Sequence, residues 1–281
     1  MFPMYLLKIF GGIIALVLIF SIGTLIYSDF SALGEGDPEV KRILFVDKFK
    51  PAHLNPPGLD DGGVCSETSD NYATMGGGVA WKKFPVKYYI NTNGMNEVSE
   101  NDAKTAVRNA FETWDNENHG GDSNGNFFKE VNNRNQADIK VGWTSLGGPG
   151  GTLAVAFVNY SPTNKEITSA SIYFDNEDVW KTFSNRICGS QTGGFDIEDV
   201  AAHEIGHAIG FNHVSVLSED EYNTMYTYVI HEGETHKRTL GFGESIGLEE
   251  LYQQTTSGGG GGDDGGSGSA CPPAKAAKGK C

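Results

Sequence analysis

The sequence predicts an α/β fold: a twisted mixed sheet of about five strands, two long helices below it, and a small C-terminal part with a last helix. Three observations carry this. Several short segments alternate apolar and polar residues, the period of a strand with one buried face. One segment repeats its apolar residues at helical spacing. Another pairs a capping residue with an acidic first turn, directly before a histidine-rich run.

The elements follow in order. "FPVKYYI" puts Val86, Tyr88 and Ile90 on one face of a strand. In "SENDAKTAVRNAFETW", Ser99 is placed to cap a helix with Asp102 three residues on. Ala103, Val107, Ala110, Phe111 and Trp114 then form a buried stripe. "ADIKVGW" aligns Ala137, Ile139, Val141 and Trp143 on one face, and "TLAVAFVNY" and "TSASIYFD" are two further strands. "DIEDVAAHE" opens the second long helix, with Asp196 as N-cap and acidic residues where the helix dipole favours them. "GESIGLEELYQQ" is a last amphipathic piece.

The ends differ from this middle. Ile9 to Ser28 contains no charged residue and is long enough to span a bilayer. Lys8 before it and Asp29 after it favour an N-in, C-out anchor, and a cleaved signal peptide is the competing reading. Residues 1–28 are therefore a membrane anchor or signal segment. Residues 29–62 show little periodicity and form a stalk or short pro-segment. The folded domain covers 63–255, and 256–281 is a glycine-rich linker with a short cysteine-bounded tail. Either reading of the N-terminus puts the bulk of the chain outside the cell. There, the four cysteines can form disulfides, with Cys65–Cys188 and Cys271–Cys281 the pairs suggested by sequence order. A net charge of −15 and a pI near 4.8 exclude a nucleic-acid partner and a basic lipid-docking surface. The chain is expected to act as a monomer.

"VAAHEIGHAIGFNHVS" concentrates three of the seven histidines. Residues four apart share a helix face, so His203 and His207 project together. Gly210 can take the left-handed conformation that ends the helix, and the turn returns His213 as a third ligand. Three neutral imidazoles around zinc leave one tetrahedral position open, the pattern of a catalytic site. Glu204 stays beside the ligands as general base and acid toward a zinc-activated water. H-E-x-x-H-x-x-G-x-x-H followed by a Met-turn is the metzincin signature, and Met225 in "EYNTMYTYV" would lie beneath the zinc as a hydrophobic floor. "HEGETH" (231–236) has histidines five apart and is read as a solvated loop.

From about Trp81 to Tyr252 the chain resembles the matrixins, the matrix-metalloproteinase-like metzincins. "FPVKYYI" and "AVRNAFETW" are similar to the family's first strand and first helix, and "VAAHEIGHAIGFNH" to its zinc helix. "GGPGGTLAVAF" and "YFDNEDVW" are similar to its cleft loop and edge strand and to the acidic segment that follows. The resemblance implies the metzincin catalytic fold and an extracellular zinc endopeptidase with one catalytic Zn²⁺. It implies a protein or peptide substrate lying extended and antiparallel along the edge strand, Leu153 to Phe157. Val155 and Tyr173 stand where relatives with a structural zinc have histidines, so no second zinc is expected. Gly148, Gly150, Asp175 and Asp178 match the family's Ca²⁺ site, although Gly147 replaces one aspartate; the alternative is that the two aspartates only cap a strand end. Cys65 lacks the flanking arginine and proline of the family's zinc-plugging cysteine. Tyr226 and Tyr228 follow Met225 at unusual offsets, which leaves the S1′ wall open. Two other functions remain: a catalytically inactive zinc-containing surface-binding module, and a hydrolase of cell-wall peptides.

Overall fold

The computed structural model describes residues 40–49, 69–117, 121, 125–184, 193–214, 220–229 and 232–252. In chain order the strands are β1 (Lys41–Phe49), β2 (Val86–Ile90), β3 (Phe128–Glu130), β4 (Ile139–Thr144), β5 (Thr152–Ser161), β6 (Glu166–Asp175), β7 (Trp180–Lys181), β8 (Phe195–Asp196) and β9 (Tyr228–Val229). The helices are α1 (Glu100–Asp115), α2 (Ile197–Ala208) and α3 (Phe242–Tyr252). The predicted N-terminal anchor or signal segment, all four cysteines and the glycine-rich tail lie outside the described residues. Among the described residues, no helix is long and apolar enough to cross a membrane.

Both expected caps are present. The Ser99 side chain accepts from the Asp102 amide at 3.1 Å, and Asp196 accepts from the Asp199 amide at 2.9 Å. Each satisfies an N-terminal donor that the helix itself cannot. The stripe of α1 is buried as its spacing requires, with Ala106 added to it. It packs on α2, and the Trp114 indole donates to the Ala202 carbonyl at 2.8 Å.

The sheet is mixed and the fold is α/β, as expected, but it is wider than five strands. Its order is β3-β2-β4-β6-β5-β1-β9, and β7 and β8 form a separate pair. Strands β3, β2, β4 and β6 run parallel to one another, and β5 is antiparallel to β6. The strand β1 comes from a stretch that showed little periodicity. "KRILFVDKF" is rich in residues that suit a pleated, half-buried surface. It pairs antiparallel with β5 and, at its end, parallel with β9. The edge expected to be free at Leu153–Phe157 is therefore occupied by the chain itself.

A second expectation also fails. Residues 233–236, read as part of a solvated loop, are buried, and so is Lys237 after them. His236 meets the Tyr222 ring edge-on at 5.5 Å. Lys237 has no exposed surface, and its ammonium donates to the carbonyls of Tyr226 (3.3 Å) and Tyr228 (3.0 Å). The polar composition of the segment concealed this, because buried lysines are rare and require partners.

Candidate metal centre

The helix α2 ends where the histidines need it to. Gly210 has φ +108°, and a Cβ there would collide with the Val79 carbonyl oxygen. The Gly210 amide donates to His207 O at 3.1 Å and the Phe211 amide to Gly206 O at 2.9 Å. These two bonds form a Schellman motif. The remaining carbonyls are met by side chains: the Trp81 indole donates to Ala208 O at 2.8 Å, and the Tyr252 hydroxyl to Ile209 O. The chain then turns back and brings His213 over the helix.

His203 and His207 are fully buried, and the Nε2 atoms of His203, His207 and His213 lie 3.1–3.2 Å from one another. The Nδ1 atom of His203 is 2.7 Å from Thr224 O, and that of His207 is 3.0 Å from Phe211 O. A carbonyl only accepts, so both Nδ1 atoms carry the proton and both Nε2 atoms present lone pairs. Two lone pairs facing at 3.1 Å repel unless a cation lies between them. Burial holds the imidazoles of His203 and His207 well below their ordinary pKa, and the positive charge of Lys237 adds to this; His213 falls to about 4 for the same two reasons. All three are therefore neutral ligands at pH 7. The donor set fits zinc, and the backbone carbonyls behind it supply the orienting contacts that metal-binding histidines use.

Glu204 is fully buried beside this cluster, and neither of its carboxylate oxygens has a hydrogen-bond partner. Burial and the neighbouring Asp47 carboxylate push its pKa up, against the pull of Lys237. Met225 is fully buried, and its Sδ lies against Gly206, the residue before His207. Its amide donates to Glu244 at 2.9 Å.

Asp47 was not anticipated. It is fully buried on β1, and its ligand atom lies within 4.8 Å of those of His203 and Glu204. The neighbouring Phe45 stacks on His207. An aspartate in the inward-facing row of an apolar run was the available signal, but nothing local says what that row faces.

At the expected calcium positions, Asp175 Oδ1 accepts from the Glu177 amide at 2.9 Å and Asp178 Oδ1 from the Gly150 amide at 2.7 Å. The Oδ2 atoms of both are buried without partners. Val155 and Tyr173 are direct cross-strand partners.

A histidine pair one helical turn apart, a third histidine after a glycine turn, an adjacent glutamate and a methionine below form the arrangement of the metzincins. Comparison with known sequences narrows the class. The matrixin family profile matches residues 80–253, and the chain belongs to the matrixin family. Karilysin from Tannerella forsythia is 33% identical over 193 residues, covering 66% of this chain and 35% of karilysin. The hatching enzyme of Paracentrotus lividus is 30% identical over 164 residues, 56% of this chain and 23% of that protein. Metalloendoproteinase 1-MMP of Arabidopsis thaliana is 29% identical over 167 residues, 56% and 42% of the two chains. The chain spans less than half the length of each of these relatives.

Proposed function

We infer that this chain is an extracellular zinc-dependent endopeptidase that cleaves extended protein segments, with Glu204 as general base and acid. The observation that carries the reading is the convergence of the Nε2 atoms of three neutral imidazoles, beside a buried carboxylate whose oxygens have no hydrogen-bond partner. His203, His207 and His213 would hold the zinc ion, which when bound would supply Lewis acidity to the scissile carbonyl and lower the pKa of the attacking water. Glu204 takes the proton of that water as its oxygen adds to the carbonyl carbon. It then gives the proton to the amine nitrogen as the C–N bond breaks. Met225 and Gly206 hold the floor of the site, and the cleft between β5 and β9 accepts a strand-like segment.

The extracellular placement rests on the uncharged run 9–28 and its flanking charges. For calcium, the support is the pair of orphaned Oδ2 atoms on Asp175 and Asp178 next to the loop of Gly148 and Gly150. Buried carboxylate oxygens without donors call for a cation, and calcium takes oxygen ligands of this kind.

The test uses the full chain, nicked by limited proteolysis so that β1 can leave the cleft, with the added protease then inhibited. Treated wild type should hydrolyse casein, and treated Glu204→Ala should keep its zinc and lose nearly all turnover. Equal turnover in both, or none in either, overturns the reading.

A further inference from the structure

Lys237 is the one fully buried lysine among the described residues. An ammonium in the interior is costly unless it is well partnered, and an apolar side chain would fill the same volume without that cost. Packing alone does not account for a lysine here.

The lysine stands on a fixed base. His236–Arg238 form a single 3-10 turn. The Lys237 amide donates to Asp199 Oδ1 at 2.7 Å, and the Arg238 guanidinium holds both Asp196 oxygens, at 2.8 and 2.5 Å. From α1, the Thr113 hydroxyl donates to the Arg238 carbonyl at 2.9 Å. Asp196 caps α2 and Asp199 lies in its first turn, so the 3-10 turn is tied to the start of the helix that carries His203 and His207.

From this base the side chain reaches the wall of the cleft. Its ammonium donates to Tyr226 O at 3.3 Å and to Tyr228 O at 3.0 Å. These carbonyls are two residues apart and point to one side, as they do in an extended chain. The other side of the same segment is the one that pairs with a neighbouring strand, through Tyr228 and Val229. β9 has only two residues and ends the sheet, and so short a strand has little pairing of its own to keep it in line. Met225, just before it, is anchored at both ends: its amide donates to Glu244, and its carbonyl accepts from the Val214 amide at 3.0 Å. Beyond Met225, the ammonium of Lys237 continues that anchoring along the outer side.

We propose that Lys237 is a positioning residue for substrate binding: its ammonium holds the Tyr226 and Tyr228 carbonyls so that β9 presents its free side to the main chain of an extended substrate. The proposal rests on the reading of the cleft between β5 and β9 as the substrate site. A segment that binds by strand addition needs a partner edge in register. A wall ordered in advance spares the binding step the loss of freedom that a loose one imposes. Because the same residue is bonded to Asp199 through its amide, wall and zinc helix keep one spacing, and the scissile carbonyl is delivered at a set distance from the histidines.

The experiment uses the full zinc-loaded chain, nicked by limited proteolysis as above, and compares wild type with Lys237→Met and Lys237→Gln. Calorimetry measures two ligands: acetohydroxamate, which reaches only the metal, and a peptide hydroxamate, which also lies along the wall. Lys237→Met should bind the peptide hydroxamate at least about tenfold more weakly and acetohydroxamate within about twofold of wild type, as the loss of charged hydrogen bonds to the wall alone requires. Lys237→Gln loses the charge but keeps a donor for the carbonyls, and its peptide affinity should fall between the other two. If Lys237→Met does not fold, Lys237→Gln decides, with a loss confined to the peptide ligand as the expected result. Unchanged peptide affinity in a folded variant, or an equal loss on both ligands, overturns the proposal and leaves the zinc site standing. Wild type that binds acetohydroxamate but not the peptide overturns the placement of substrate along β9, and wild type that binds neither overturns the zinc reading; the proposal falls with either.

Discussion

Phe45 lies flat on His207, with ring centroids 4.0 Å apart and planes 5° from parallel. One residue belongs to β1, between β5 and β9, and the other to α2, so the contact joins the strand in the cleft to the centre of the candidate site. His207 is thus fixed from two sides, by this ring and by the Phe211 carbonyl at its Nδ1. The strand that covers the cleft and the helix that bears the ligands form one packed unit.

Glu204 has no structural partner to lose, because both its oxygens lack hydrogen bonds. Glu204→Gln should therefore fold, keep its metal and lose about 10²–10⁴ in turnover once the cleft is open, the range for removing a general base. Metal analysis and casein hydrolysis on the same preparation check this. Loss of metal in parallel with activity would make Glu204 a ligand instead.

Gly206 is needed for space. A Cβ there would strike Met225 Sδ and come within 2.8 Å of Trp114 Cζ2. The methionine can move, but the indole is held by its bond to Ala202 O. Gly206→Ala should cost about 1–3 kcal/mol through overpacking, seen as a lower thermal midpoint. An unchanged midpoint would show that Met225 is not packed against the zinc helix.

Much of this was legible in the sequence because the signals were local. Ser99 and Asp196 cap their helices within three residues, and Gly210 turns the chain within one. The eleven-residue histidine pattern contains its own geometry. β1 is different. Its pairing with β5 spans more than a hundred residues of chain, and a short strand with charged residues at both ends does not reveal its partner. Lys237 was hidden for a related reason: its carbonyl partners come from the β9 side of the cleft, which the local polar pattern does not show.

Lys237 balances a buried acidic group. Its backbone amide donates to Asp199 Oδ1 at 2.7 Å, and its ammonium stands 3.9 Å from Glu234. Burial and the charge of Glu234 already hold Asp199 well above the ordinary carboxylate range. Lys237→Met should cost about 3–5 kcal/mol, as removing one partner of a buried ion pair does. Urea denaturation measures it, and a loss under about 1 kcal/mol would mean that the charges are screened in another way.

Chelation should also destabilise the chain, because the Nε2 lone pairs of His203 and His207 then face each other at 3.1 Å with nothing between them. With free zinc about a thousandfold above its Kd, the bound ion is worth about 4 kcal/mol. Thermal unfolding with and without a zinc chelator reads the difference. Identical midpoints would place the metal outside the folded core.

The claim on which the rest depends is that His203, His207 and His213 together hold one zinc ion. Its most direct test is the metal content of the purified full chain, by mass spectrometry of the element, beside that of His207→Ala. One zinc per wild-type chain and essentially none in the variant is the predicted result. Full zinc content in His207→Ala, or a wild-type chain that takes up no zinc, would contradict it.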